Sequence, residues 1–235
     1  MQLISLDRRI VWLYNRIEVM NMPVKVGLKY IDIWKESMED AVLAYEAERA
    51  QKGKIVFYGP SNFTRWSARY GMTPLAEAVR GASGEACCIN RGFGSTCPEH
   101  HLYYYDRMIR PLEPKVLVYS PGFGNGKAFG YTPEETFELA QRVVAYALTD
   151  FPELKIYILG INRNKDKREA AWEYDRWLRE FAETTPRCSY LDLTAWEPLA
   201  RQDIYVADRV HYNYEGYCLY ADFFKHALKD ELAQF

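Results

Sequence analysis

Ile55-Val56-Phe57-Tyr58-Gly59-Pro60-Ser61-Asn62-Phe63-Thr64-Arg65-Trp66 is the stretch that decides the fold. Its first four residues are apolar or aromatic without a break, as expected of a strand buried on both faces. Gly59-Pro60 then punctuates the run, and a polar turn follows. Four more runs of the same kind lie downstream: Ala86-Cys87-Cys88-Ile89, Val116-Leu117-Val118-Tyr119, Ile156-Tyr157-Ile158-Leu159 and Tyr190-Leu191-Asp192-Leu193. Between them stand helix signals. Thr132-Pro133-Glu134-Glu135 is a capped helix start, and Phe137, Ala140, Val144 and Leu148 follow at helical spacing. From Lys167 to Glu183 the residues Ala171, Tyr174, Trp177, Leu178 and Phe181 repeat that period. Five strand–helix alternations predict a doubly wound α/β sandwich.

The rest of the chain is consistent with this core. Its 235 residues are 49% hydrophobic, enough to fill one large domain. Charges nearly cancel, with 30 Lys and Arg against 32 Asp and Glu, so no nucleic-acid partner is expected. No run of 18 apolar residues is present, so no membrane span is expected. Charges among the first nine residues interrupt what would be the apolar centre of a secretory signal. Cys87, Cys88, Cys97, Cys188 and Cys218 form an odd set with adjacent members, which reads as buried thiols in a reducing, cytoplasmic compartment. Residues 1–36 stand outside the alternation, as an extension that packs on the core or serves homo-oligomerisation. Residues 37–235 form the domain proper. It opens with a helix from Ser37 to Lys52, with Ser37 as the N-cap.

Ligands of open α/β sheets bind beyond the carboxyl ends of the strands. Ser61 stands there after the first run, either as a nucleophile or as a plain N-cap. A serine nucleophile needs an imidazole base and a carboxylate to orient it. Of the four histidines, His211 is preceded by Asp208 at a spacing of three, which lets both side chains meet across one turn.

Together these residues bring a family into view. Ile55–Trp66 resembles the first sequence block of the SGNH (GDSL-type) hydrolases. Asn90-Arg91-Gly92-Phe93-Gly94-Ser95-Thr96 resembles the second. Pro114–Val118 with Gly122-Phe123-Gly124-Asn125 resembles the third, and Asp208-Arg209-Val210-His211-Tyr212-Asn213-Tyr214-Glu215-Gly216-Tyr217 the last. Four blocks in order over residues 37–230 are far more specific than any one alone. The resemblance implies a three-layer α/β/α sandwich with a five-stranded parallel sheet of flavodoxin-like order. It implies ester hydrolysis through an acyl-enzyme without cofactor or metal. Ser61 would be the nucleophile, His211 the base and Asp208 its orienter. Backbone N–H groups of Ser61 and Ser95 and the Asn125 side chain would form the oxyanion hole, with Gly94 and Gly124 as the adjacent alternatives.

The chain departs from the family pattern at three of these positions. Pro60 precedes the nucleophile where Asp or Ser is common, Ser95 replaces Gly, and Asn125 stands one residue late. The substrate expected is a small acyl ester, foremost acetyl on carbohydrate, with Asn62, Trp66 and Tyr212 as contacts. The alternatives are a lipid-type acylhydrolase (a lysophospholipase or thioesterase) and a weakened scaffold that only binds.

Several other features are open to two readings. Cys97, His100 and His101 are exposed residues at a helix start or, less expected, metal ligands. Arg163 to Arg168 is a solvated loop or a basic rim. Trp66 packs in the core or touches the acyl group. The chain holds 19 Tyr, and Tyr58, Tyr119, Tyr212, Tyr214 and Tyr217 in or beside the blocks are expected to line the mouth of the site.

Overall fold

Five parallel strands form one sheet in the computed structural model, which describes residues 35–162 and 168–235. They are β1 (Ile55–Gly59), β2 (Cys88–Gly92), β3 (Val116–Tyr119), β4 (Lys155–Leu159) and β5 (Cys188–Leu191), in the order β2-β1-β3-β4-β5. This is the doubly wound arrangement the alternation predicts. Val56 pairs with Ile89 on one side and Leu117 on the other, so β1 lies inside the sheet.

Side chains alternate along each strand and feed two cores. Val56, Tyr58, Leu117, Tyr119, Ile156 and Ile158 face one layer of helices. That layer contains α1 (Lys35–Ala47), α3 (Pro98–Tyr103), α5 (Pro133–Asp150) and α6 (Glu169–Thr184). Ile55, Phe57, Val116, Val118 and Leu159 face the other, built on α2 (Ser61–Thr64), the segment to Val79 and α7 (Tyr214–Ala227). A short helix, α4 (Gly124–Ala128), follows β3. Each large side chain buried this way contributes about 1.5–3 kcal/mol of hydrophobic stabilisation.

The helix signals work as their chemistry requires. Thr132 Oγ1 accepts from the Glu135 N–H at 3.1 Å, and Glu135 Oε2 accepts from the Thr132 N–H at 2.9 Å. The stripe of α5 is wider than expected: Leu139, Val143 and Ala147 join Ala140 and Val144 in the core, while Phe137 and Leu148 are half-buried.

Several element boundaries and two thiols differ from expectation. The first helix starts at Lys35, so Ser37 lies within its first turn rather than capping it, and it ends at Ala47. β2 lies two to three residues later than its apolar run, because Asn90 and Arg91 are tolerated in the strand. Arg91 is held by Glu48 at 2.7 Å and stacks on the Tyr45 ring. β5 begins two residues earlier than expected, as an edge strand paired only with β4. All five cysteines are free thiols, but Cys188 is half-buried and Cys218 exposed rather than buried. Among the described residues no helix is long and apolar enough to cross a membrane. The extension 1–36 lies outside the described residues except for Lys35 and Glu36.

Candidate active site

The chain leaves β1 towards β2 and returns as β3 on the other side, so a crevice opens beyond the ends of β1 and β3. Ser61 sits at that crevice as the first residue of α2. Its own N–H is among those that no helix can bond internally. Two glycines let the turn lie so close to the sheet. A Cβ on Gly59 would stand 2.7 Å from the Ser120 Cβ, and one on Gly92 2.4 Å from the Thr64 nitrogen. Pro60 serves as the extended N-cap residue of α2, and its ring packs 3.1 Å from where a Cβ on Gly122 would lie. Its missing N–H therefore disrupts nothing at this position.

The other half of the site is a small arch between Ile204 and Asn213. Tyr205 and Tyr212 form an antiparallel bridge, and the Asn213 N–H donates to the Ile204 carbonyl at 2.8 Å. At the apex Arg209 takes a left-handed φ of 53°. Asp208 fixes its own turn, because Oδ1 accepts from the N–H groups of Val210 (2.8 Å) and His211 (2.9 Å). Asn213 then caps α7, its side chain accepting from the Gly216 N–H at 2.9 Å.

The arch brings His211 onto Ser61. His211 Nε2 lies 2.7 Å from Ser61 Oγ, and Nδ1 lies 2.7 Å from Asp208 Oδ2. The His211 side chain is 12% exposed and that of Asp208 39%. Partial burial raises the Asp208 pKa. Hydrogen bonds from the His211 backbone and imidazole and from the Val210 N–H more than offset this, holding the carboxyl well below the usual carboxylate range. A persistent anion at Nδ1 keeps the proton on that nitrogen and leaves Nε2 as an acceptor for the Ser61 hydroxyl proton.

Three supporting residues lie inside the quoted blocks, but the block pattern does not reveal the contacts they make. Arg65 Nη1 lies 3.3 Å from Asp208 Oδ2, the same oxygen that holds the imidazole. Its position four residues after Ser61 is the only sequence clue. Tyr217 donates its hydroxyl to the Asn62 carbonyl at 2.8 Å, tying α7 to the Ser61 turn. Asn90 donates to the Phe63 carbonyl at 2.7 Å and so ties the same turn to β2.

The oxyanion candidates lie on two neighbouring loops. Ser95, not Gly94, takes the left-handed conformation, with φ of 61°. Among the described residues the Ser95 N–H makes no hydrogen bond. The Asn125 amide donates to the Thr96 carbonyl at 2.8 Å, which joins the two loops and leaves a second amide hydrogen. Gly124 is exposed and has no side-chain donor.

The proposed aromatic contacts are corrected by burial. Trp66 is 1% exposed and packs against Phe57, Tyr217, Tyr220 and Phe224. Tyr212 is 3% exposed and stacks on Tyr205. Tyr58, Tyr119 and Tyr217 are also core residues, so only Tyr214, 55% exposed, could stand at a rim. Their positions in the blocks fix sequence neighbours, not the face each ring takes. Asn62 is half-buried, and its Oδ1 has no hydrogen-bond partner among the described residues.

Cys97, His100 and His101 are buried rather than exposed, because α3 packs between the sheet and α5. Among the described residues no three metal-ligating side chains cluster. The basic run 163–167 lies outside the described residues, while Arg168 is exposed with its guanidinium over the Phe123 ring. A cavity of about 270 Å3 lies between α7 and the segment from Trp66 to Ala78, lined by Thr73, Glu77, Tyr214 and Asp222. Neither Ser61 nor His211 lines it.

No family model and no curated protein matches the sequence. Solved structures do match. A Streptococcus pneumonia protein whose name refers to platelet activating factor superposes with a TM-score of 0.63 at 14% identity, over 97% of this chain and 100% of its own. A GDSL-like lipase from Bacteroides thetaiotaomicron gives 0.63 at 15% identity, over 82% and 97%. An acetylxylan esterase from Geobacillus stearothermophilus gives 0.57 at 17%, over 75% and 94%. The chain thus shares the α/β fold of these structures, a five-stranded parallel sheet with flanking helices, which is the fold of the GDSL-like (SGNH) hydrolases.

Proposed function

We propose that the protein is a serine esterase that cleaves small acyl esters through an acyl-enzyme. The observation that carries this reading is the unbroken line from Ser61 Oγ through His211 to Asp208, with 2.7 Å at each step. His211 Nε2 takes the Ser61 proton as Oγ attacks the ester carbonyl carbon. The carbonyl π electrons move to oxygen, and the negative charge meets the N–H groups of Ser61 and Ser95 and the Asn125 amide. Donors of this kind contribute about 3 kcal/mol each. The imidazolium formed is stabilised by the Asp208 carboxylate, then gives its proton to the departing alkoxide. Water repeats the sequence on the acyl-enzyme, releasing the acid and restoring Ser61.

An acetyl group on carbohydrate is the substrate class proposed, and its support is likeness to the acetylxylan esterase. Tyr58, Tyr119, Tyr212 and Tyr217 add nothing to it, because rings inside the core cannot stack on a sugar. The test is a panel of p-nitrophenyl esters of rising acyl length, together with acetylated xylooligosaccharides, run on wild type and Ser61→Ala. Hydrolysis restricted to short acyl chains and lost in Ser61→Ala is expected. A preference for long chains would move the assignment to a lipid-type acylhydrolase. Equal trace activity in both proteins would make the fold a binding scaffold.

A further inference from the structure

His101 is one of two fully buried imidazoles outside the proposed triad. It is 0% exposed and enclosed by the rings of Tyr58, Phe93 and Tyr119. Its Nε2 lies 3.0 Å from Thr96 Oγ1 and its Nδ1 3.2 Å from the Tyr119 hydroxyl. Thr96 Oγ1 in turn lies 2.7 Å from the Phe93 carbonyl.

The proton positions follow from the inventory of donors. A carbonyl only accepts, so the single Thr96 hydroxyl hydrogen goes to Phe93. Thr96 Oγ1 must therefore accept from His101, which places a proton on Nε2. Burial first, and then the neighbouring His100, push the His101 pKa well below the usual imidazole range, so the ring is neutral and Nδ1 is bare. Tyr119 must then donate to it. One directed chain results: Tyr119 O–H to Nδ1, Nε2–H to Thr96 Oγ1, and Thr96 O–H to the Phe93 carbonyl. It begins on β3, crosses α3 and ends in the loop that carries Ser95. A second tie, the Tyr58 hydroxyl to the His101 carbonyl at 2.7 Å, fixes the backbone of the same residue from β1.

We infer that His101 is a positioning residue for the oxyanion hole, acting through Thr96 on both of its loop donors. Thr96 is the shared element. It follows Ser95, whose left-handed backbone presents the unbonded N–H, and its carbonyl holds the Asn125 amide. A loop with a non-glycine residue at positive φ relaxes unless its neighbours hold it, and the chain from Tyr119 is the hold. The inference rests on the esterase reading for its consequence in catalysis, but not for the hydrogen-bond chain itself.

Two measurements test it. Long-range 15N–1H spectra of the imidazoles should show His101 as the Nε2–H tautomer, unchanged from pH 5 to 8. A titrating ring or an Nδ1–H tautomer would overturn the chain whatever the activity. The kinetic arm compares Thr96→Val, Thr96→Ser and Asn125→Ala, singly and combined, on p-nitrophenyl acetate, with circular dichroism to confirm the fold. Thr96→Val should lower kcat about 10- to 100-fold with KM nearly unchanged, and Thr96→Ser should restore it. Asn125→Ala should cost much less in the Thr96→Val background than in wild type, because the two act on one feature. Additive losses, or a rise in KM alone, would reduce Thr96 and His101 to ordinary packing residues and refute the inference. A wild type without Ser61-dependent hydrolysis would overturn the esterase reading and the role given to the chain, while the spectra still judge the chain.

Discussion

Gly92→Ala adds a single methyl group at the point where the Ser61 turn rests on the sheet. The new Cβ would stand 2.4 Å from the Thr64 nitrogen, 2.5 Å from the Phe63 Cβ and 2.6 Å from the Phe63 carbonyl carbon. Ordinary contact begins at 3.4 Å, so α2 must retreat by about 1 Å. Two of the three atoms are backbone, and no side-chain rotation can absorb the move. Ser61 travels with its turn. If the shift opens the Ser61–His211 distance of 2.7 Å in full, it becomes about 3.7 Å, beyond hydrogen-bond range. A misplacement of that size lowers turnover by about 100-fold. The overpacking itself costs about 1–3 kcal/mol, which lowers Tm by about 2–4 °C for each kcal/mol in a domain of this size. The assay is p-nitrophenyl acetate hydrolysis beside a thermal melt. A variant with wild-type kcat and Tm would refute both the contact and the role given to it.

Asp208→Asn should lower kcat by about 10⁴-fold, because an amide stabilises the wrong imidazole tautomer; a loss below tenfold would exclude Asp208 as the orienter. The Asp208 pKa is depressed on folding, so its stabilising effect is present above the unfolded carboxylate pKa and lost only as pH falls through the lower folded value. Any acid limb in the activity profile between pH 5 and 8 should therefore persist with the same midpoint in Arg65→Gln; a midpoint shifted by more than one unit would tie the limb to the Arg65–Asp208 pair instead. Ser95→Gly should raise Tm, since a left-handed non-glycine residue carries about 1–2 kcal/mol of strain; differential scanning calorimetry checks this, and a lower Tm would mean the Ser95 side chain makes a compensating contact. Thr132→Ala should cost about 1 kcal/mol in chemical denaturation by breaking the capping box of α5, with kcat unaffected.

The parts of this molecule that the sequence makes legible are those whose cause is local or strongly patterned. The central strands β1, β3 and β4 fall on their apolar runs, because burial on both faces demands unbroken hydrophobicity. The edge strands slip, because one flank of each is free and other residues decide where pairing stops. Asn90 and Arg91 extend β2 only because Phe63, Glu48 and Tyr45 wait for them across the fold. The D-x-x-H spacing is likewise a local geometry, and Asp208 and His211 meet as a three-residue turn allows. What escaped was the face each ring takes. Trp66 and Tyr212 stand beside motif residues in sequence, yet their rings point into the core shared with α7. His101 escaped for the same reason: Thr96 is a near neighbour, but Tyr119 reaches it only once β3 and α3 are packed.

The contact between Ser61 and His211 joins residues 150 positions apart. Between them the chain must lay down β2, β3, β4 and β5, and α7 must dock before the Tyr217 hydroxyl can reach the Ser61 turn. Closing so long a span is among the slower events of a folding chain. The proposed triad is thus a late property of the polypeptide. A nascent chain that has just released its first three strands already has Ser61 but not yet His211. The time course of recovered esterase activity after dilution from denaturant should lag behind the return of helical ellipticity, and the lag would measure how long the C-terminal arch and α7 take to find the sheet.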